Sequence, residues 1–149
     1  MSESTYPEET FSLKHEHSKT IAEQNDAFRK KALSADNPNA VVVITDFKTG
    51  NKRMLTPHEN GLVRFTPGFD GLDDFKKMRV IEHIKKQDAF EEGNDPYGEH
   101  DFGSVHIVDY PKVFWKIEYY ASNELQYGTD TPQAPDTFRV LTVMLAEEY

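Results

Sequence analysis

Alternating apolar and polar positions are clearest in the last third of the chain. Every second side chain of Val113–Tyr120 is large and apolar, beginning with Val113 and Trp115, so one face of this run is predicted to be buried. Ser104–Val108 alternates in the same way. The two runs flank Asp109–Lys112, a proline-containing turn segment, and together they predict a β-hairpin.

Four further segments are predicted to be strands. Ala40–Thr45 is β-branched and nearly continuous, which favours a well-buried strand, and Lys52–Leu55 is predicted to follow it as a second strand. A short strand is expected at Leu62–Phe65 in a segment, Pro57–Gly71, that otherwise resembles loops. Phe138–Leu145 is predicted to be the last strand because of its β-branched content. Its Leu and Met residues favour helix, so a helix is the alternative for this segment.

Two segments show helical spacing. The first, Ile21–Leu33, follows a Thr20–Glu23 capping box, and Asn25 interrupts its apolar stripe. The second is Leu72–Phe90. Its predicted core-facing stripe is formed by Phe75, Met78, Ile81 (or Val80) and Ile84.

This order of elements predicts an α+β fold with a mostly antiparallel sheet and two main helices packed on it. The chain has 149 residues, which suits one domain. Residues 1–17 are mixed and aperiodic, so we expect a flexible or extended N-terminal arm, followed by a single α+β domain over residues 18–149.

Charge and composition narrow the class of partner. The net charge is −9, and no long run of Lys or Arg offers a phosphate-binding stripe, so direct nucleic-acid binding is not expected. No apolar run approaches the ~20 residues of a membrane helix, no secretory signal is visible and Cys is absent, which together predict a cytoplasmic protein without a membrane partner. A protein partner with a basic surface is expected. The carboxylates predicted to face it are Asp70, Asp73, Asp74, Glu91, Glu92, Asp95, Glu147 and Glu148.

The segment NDPYGEHDFG, Asn94–Gly103, contains the densest group of potential catalytic or metal-binding residues. Carboxylates and imidazole bind divalent metals and carry protons near neutral pH, so Glu99, His100 and Asp101 are the candidate catalytic or metal-binding set. In extended backbone His100 would face away from its two acidic neighbours. The same segment also has the turn chemistry of an architectural corner, and no known metal-ligand spacing is present, so no cofactor is predicted.

Three sequence motifs resemble an uncharacterised bacterial domain-of-unknown-function family of small proteins from proteobacterial genomes and plasmids. The motifs are NDPYGEHDFG, VFWKIEYY and RVLTVMLAEEY. The resemblance implies no established activity and no catalytic residue. It implies a mobile-element context, in which small acidic proteins often act on host or rival machinery.

We therefore expect a small acidic non-enzymatic protein-binding protein that occludes a basic nucleic-acid-binding surface, as an anti-CRISPR-type anti-defence inhibitor would. The alternative is a metal-dependent hydrolase or nuclease that uses Glu99, His100 and Asp101. A third interpretation is a homo-oligomer whose subunits contact each other through the aromatic face of Val113–Tyr120.

Overall fold

A computed structural model describes the backbone of residues 8–34, 42–45, 52–55, 61–91, 93–122, 124–134 and 137–149. Side chains are described within these ranges from residue 17 onward, apart from residues 42–45 and 52–55. The strands are β1 Val42–Thr45, β2 Lys52–Leu55, β3 Gly61–Phe65, β4 Phe102–Val105, β5 Val113–Tyr120 and β6 Phe138–Leu145. They form one six-stranded sheet in the order β1-β2-β3-β6-β5-β4.

The sheet is mixed, because β3 and β6 run parallel while the other four neighbouring pairs are antiparallel. The predicted α+β fold with a mostly antiparallel sheet is therefore confirmed. Strand β6 lies between β3 and β5, and all its residues are buried. Burial on both faces accounts for its nearly continuous apolar sequence.

The helices are α1 Glu8–Ala32, α2 Pro67–Asp70 and α3 Asp74–Lys86, and a short 3-10 helix, Ala146–Glu148, follows β6. Helix α1 begins well before the predicted start at Ile21. Residues 8–17 were predicted as part of a flexible or extended arm, and the structure corrects this prediction because they are helical. Their lack of apolar periodicity hid the helix. Residues 1–7 lie outside the described residues.

Helix α3 is shorter than the predicted segment Leu72–Phe90. It begins after Asp73, whose carboxylate accepts a hydrogen bond from the Lys76 N–H at 2.9 Å. It ends at Lys86 because Gln87 has extended backbone. A second correction concerns Pro57–Gly71, predicted as loops around one strand, because it also contains α2, with Pro67 in the first turn where a missing N–H is tolerated.

The main core lies between the sheet and the two long helices. The predicted buried face of β5 is confirmed, with Trp115 at 0% exposure. The predicted stripe of α3 is partly wrong, since Phe75 and Met78 are each 66% exposed. The buried side chains of α3 are Val80 and Ile84, one turn apart, so the helix turns a different line of residues to the core.

The predicted hairpin of β4 and β5 is confirmed, but β4 ends earlier than expected. It covers Phe102–Val105, so the connection includes residues 106–112 and turns where the Tyr110 N–H donates to the Ile107 carbonyl at 3.0 Å. Asp109 in this turn has a φ of +70°. No helix in the described part of the chain has the length and apolarity to cross a membrane.

Candidate functional site

The corner between α3 and β4 is organised by one buried carboxylate. Asp95, 7% exposed, accepts hydrogen bonds at Oδ1 from the backbone N–H groups of Glu99 at 2.8 Å and His100 at 3.1 Å. The predicted turn chemistry is present as well, since the Gly98 N–H donates to the Asp95 carbonyl at 3.1 Å. Asp95 was predicted to face a partner. Its carboxylate instead satisfies two backbone donors inside the corner.

Two residues of the corner have left-handed backbone. Gly98 has a φ of +68°, which glycine tolerates without steric cost, and His100 has a φ of +55°, which is uncommon for a residue with a Cβ. The hydrogen bonds that Asp95 accepts from the Glu99 and His100 N–H groups hold the backbone that leads into this strained position. The backbone bend directs the His100 side chain toward α1.

Glu99 joins a network of polar side chains beneath the sheet. Its Oε1 accepts a hydrogen bond from the Tyr119 hydroxyl at 3.0 Å. Asn25 donates through Nδ2 to the Tyr119 oxygen at 2.8 Å and to the Glu99 carbonyl at 3.0 Å. Its Oδ1 accepts from Arg139 Nε at 2.8 Å. The fully buried Asn25 therefore has both donor positions and its acceptor occupied.

Burial shifts the pKa values of two residues in this network. Burial is the main cause that raises the pKa of Tyr119 above its ordinary value, with the nearby Glu99 and Asp101 adding to it. The Tyr119 hydroxyl therefore stays protonated and donates its hydrogen bond to Glu99. Burial also lowers the pKa of Arg139 below its ordinary value. These groups form a satisfied structural network that links α1, β5, β6 and the corner.

The His100 side chain contacts other residues than Glu99 does. Its Nδ1 lies 3.0 Å from both carboxylate oxygens of Asp26, and its ring stacks on Phe90 with the centroids 4.0 Å apart. Asp26 also accepts a hydrogen bond from Arg29 at 3.0 Å. Arg29 is fully buried and donates to the Ile84 and Gln87 carbonyls at 3.0 and 2.7 Å. These contacts tie the corner to α1 and tie α1 to the end of α3.

Asp101 is the candidate residue with the largest change in acidity. Burial, reinforced by the negative charges of Glu99 and Asp95, raises its pKa from 3.8 to about 6. Its carbonyl accepts the Ile117 N–H at 2.8 Å, which continues the ladder of β4 and β5. A carboxyl with this pKa can exchange a proton near neutral pH.

The alternative metal site was expected to use Glu99, His100 and Asp101. Glu99 contacts Tyr119, whereas His100 contacts Asp26 and Phe90, so imidazole and carboxylate point to different neighbours. Among the described residues, no group of three or more His, Asp or Glu side chains is placed to hold a metal ion. The geometry matches the alternative interpretation of this segment, in which it is an architectural corner.

Glu148, one of the predicted partner-facing carboxylates, lies beside the start of α2. Glu148 accepts hydrogen bonds from the Gly68 N–H at 2.9 Å, the Thr66 hydroxyl at 2.6 Å and the Leu145 N–H at 2.9 Å. Burial opposes ionisation of Glu148, but these hydrogen bonds outweigh it and lower its pKa below the ordinary value. Glu148 therefore fastens the 3-10 helix to the start of α2.

This contact places residues 147–148 beside the start of α2, the helix that ends at Asp70. We name the carboxylates of these two neighbouring segments the acidic end. Its members are Asp70, Asp73, Asp74, Glu147 and Glu148. Lys77 lies among them, 3.5 Å from Asp70 and 3.6 Å from Asp74. The Asp74 side chain is 96% exposed, and Glu147 is also exposed.

The two remaining predicted carboxylates are elsewhere. Glu91 lies beyond α3, where its carbonyl accepts the Asn94 and Asp95 N–H groups at 3.0 and 2.9 Å. Glu92 lies outside the described residues.

Sequence reasoning missed the contributions of α1 to the corner. Asn25 and Asp26 contact Glu99 and His100 across more than seventy positions of sequence. The polar Asn25 within an apolar helix stripe and Arg139 within an apolar strand were the available signals, because a polar residue on a buried face needs a partner.

A comparison with known families gives one match. The profile of a protein of unknown function, DUF3768, matches residues 65–148. The chain belongs to this family. The DUF3768 region includes the corner, the acidic end and strands β4–β6, whereas Asn25, Asp26 and Arg29 of α1 lie outside it. No curated protein and no solved structure matches the chain.

Proposed function

We propose that this member of the DUF3768 family is a non-enzymatic protein-binding protein whose acidic end covers a basic surface on its partner. The supporting observation is that Glu148 accepts hydrogen bonds from Thr66 and Gly68, which places the acidic residues 147–148 beside the segment that leads to Asp70, Asp73 and Asp74. Asp74 and Glu147 project into solvent from this end. Exposed charges of one sign speed encounter with an oppositely charged surface and favour that partner over others.

The proposed partner surface is one that normally holds nucleic acid. Such surfaces carry Lys and Arg side chains that neutralise phosphates, and carboxylates offer charge of the same sign as phosphate. The net charge of −9 would add a long-range attraction to such a surface. Occlusion of this kind is the mode of action expected of an anti-CRISPR-type anti-defence inhibitor, which is the specific form of the proposal.

The acidic end is not uniformly negative, and this determines which residues should contribute to binding. Lys77 offsets part of the charge of Asp70 and Asp74, and Asp73 also caps α3. Glu148 is held by two backbone N–H groups and a hydroxyl. Asp74 and Glu147 are therefore the carboxylates that can be changed without removing a structural hydrogen bond identified in the described residues.

The test is affinity capture from a host lysate at low salt. We expect the wild-type protein to retain a protein with a basic nucleic-acid-binding surface, and we expect the double variant Asp74→Lys/Glu147→Lys to lose it. Glu124→Lys/Asp130→Lys is the matched control, because it makes the same change in net charge at exposed positions away from the acidic end. Failure to retain any basic protein, or equal retention by the two double variants, would contradict the proposal.

A further inference from the structure

We propose that Phe75 acts together with Asp74 in binding the partner, and that the partner surface is one that holds single-stranded nucleic acid. Asp74 takes the place of a phosphate, and the Phe75 ring takes the place of a stacked base. This inference rests on the function proposed above, because it concerns the acidic end. It adds the class of nucleic acid that the partner holds and the residue that selects this class.

Phe75 is an aromatic residue on the surface of the first turn of α3. Its exposed fraction is 66%, although Phe is ordinarily among the most buried residue types. Met78, three positions further along the helix, is exposed to the same extent. The two side chains are neighbours, because residues three apart lie on one side of a helix. Together they leave an apolar patch in contact with solvent.

The Phe75 ring is not part of the core. Neither the buried side chains of the described core nor the side chains packed against them include Phe75. Within the described ranges, its one aromatic or cationic neighbour is Arg79, whose guanidinium carbon lies 6.0 Å from the ring centroid. That distance is at the outer limit of a cation–π interaction. Core packing therefore does not account for a phenylalanine at this position.

The exposed ring is continuous with the acidic end. Phe75 directly follows Asp74, whose side chain is 96% exposed, so consecutive residues present a carboxylate and a ring to solvent. A specific protein interface covers roughly 800 Å² of each partner. A partner surface of that size that covers Asp74 would cover Phe75 as well. Aromatic residues and methionine are the types enriched in such interfaces.

The combination of a carboxylate with a ring favours a single strand over a duplex as the nucleic acid that is replaced. In a duplex the bases stack on one another inside the helix, and proteins hold it largely through its phosphates. Surfaces that hold single strands combine cations along the backbone with aromatic side chains on which the bases stack. A protein ring can take the place of a base only on a surface of the second kind.

Three cations share this part of α3 with Phe75. Lys77 lies among the carboxylates of the acidic end, and Lys76 lies above the Tyr110 ring at 5.4 Å. Arg79 is the third, one turn beyond Phe75, and its charge is the wrong sign for a basic partner. Removal of Arg79 should therefore leave binding unchanged or strengthen it. An acidic partner would respond in the opposite way, so this variant reports the sign of the partner's charge.

The test immobilises the purified full chain, captures proteins from a host lysate at low salt, and elutes them with oligonucleotides. The probes are a single-stranded oligonucleotide and the duplex of the same sequence, each supplied as DNA and as RNA. We expect a single strand to elute the captured basic protein at a concentration at least tenfold lower than the duplex does. The DNA and RNA arms identify which single strand the partner holds.

Phe75→Ala should retain at least tenfold less of this protein than the wild type. Phe75→Leu should also retain less, because it keeps an apolar side chain without the ring, whereas Phe75→Tyr should retain as much as the wild type. Tyr127→Ala is the matched control, because Tyr127 is 74% exposed and lies near Ala121, beyond the end of β5 that is remote from Leu145. It should not reduce retention.

The inference is overturned if the duplex elutes the protein as readily as the single strand, if Phe75→Ala retains as much as Tyr127→Ala, or if Arg79→Ala reduces retention. Loss of retention by Asp74→Lys/Glu147→Lys but not by Phe75→Ala would reject the role of Phe75 and leave the proposed function standing. Capture of no basic protein would contradict both. Self-association that Phe75→Ala abolishes would assign the apolar patch to a second copy of this chain and would also overturn the inference.

Discussion

At the scale of single residues, Asp95 is the side chain on which the corner depends. It satisfies the N–H groups of Glu99 and His100 next to a residue with positive φ. Removal of the carboxylate would leave two donors without partners in a largely buried position. Each loss of this kind typically costs about 1–3 kcal/mol.

We therefore predict that Asp95→Ala lowers the free energy of unfolding by about 1–3 kcal/mol, measured by urea denaturation. Asp88→Ala is the control, because Asp88 is exposed and surface substitutions typically change stability by less than ~0.5 kcal/mol. Equal stability of the two variants would show that Asp95 does not hold the corner.

Asp101 gives a second prediction, which concerns pH. Its pKa is about 6 in the folded protein and near 3.8 when unperturbed. Between these values the folded chain binds a proton that the unfolded chain has lost, so stability falls as the pH rises from about 4 to 6 and levels off above this range. Below pH 4 the group contributes no further change.

Asp101→Asn should remove this part of the pH dependence, because the amide does not ionise. At pH 7 the variant should be more stable than the wild type by on the order of 1 kcal/mol, less than the full shift implies because the carboxyl is partly exposed. Urea denaturation of both proteins from pH 4 to pH 8 measures the difference. Parallel stability curves would contradict the assigned pKa.

At the scale of elements, Arg29 joins α1 to α3. Burial lowers its pKa below the ordinary value although Asp26 opposes the shift, and its guanidinium donates to two carbonyls at the end of α3. The guanidinium also lies 5.0 Å from the centre of the Trp115 ring. This single side chain therefore connects two helices to the core of the sheet.

Arg29→Ala should lower the free energy of unfolding by about 3–5 kcal/mol, as is usual when one partner of a buried charged cluster is removed. Lysine at this position should not restore stability, because it lacks the planar fork that reaches two carbonyls and Asp26. Lys30→Ala, one position along the same helix, is the exposed control. Thermal or urea unfolding that ranks Arg29→Ala with Lys30→Ala would exclude this role.

Elements whose local residue types strongly favour one structure could be predicted from the sequence. Strand β6 has the predicted bounds, Phe138–Leu145, and β2 has the predicted bounds, Lys52–Leu55. Strand β6 could be predicted because a strand buried on both faces has a continuous apolar sequence rich in β-branched residues and does not need alternation. The predicted turn at the Asp95–Gly98 corner followed from residue types with known turn conformations.

Features that depend on contacts distant in sequence could not be predicted. The first turns of α1 carry no apolar stripe, so only their continuity with the packed half of the helix marks them. The orientation of α3 depends on what lies beneath it, and Val80 rather than Met78 faces the core. The pairing of His100 with Asp26 arises from the packing of α1 against the corner, which no local pattern encodes.

At the scale of the whole molecule, the charges are unevenly placed. The acidic end carries five carboxylates with Lys77 among them. Two of these carboxylates, Asp74 and Glu147, are exposed. An occluding protein of the proposed kind needs this surface alone.

Competition with nucleic acid tests the central claim most directly. The measurement is fluorescence anisotropy of labelled nucleic acid bound to the captured partner, while this protein is titrated at low salt. The account predicts that the wild type and Glu124→Lys/Asp130→Lys displace the nucleic acid, whereas Asp74→Lys/Glu147→Lys displaces it at least tenfold less effectively. Simultaneous binding of nucleic acid and this protein to the partner would contradict the account.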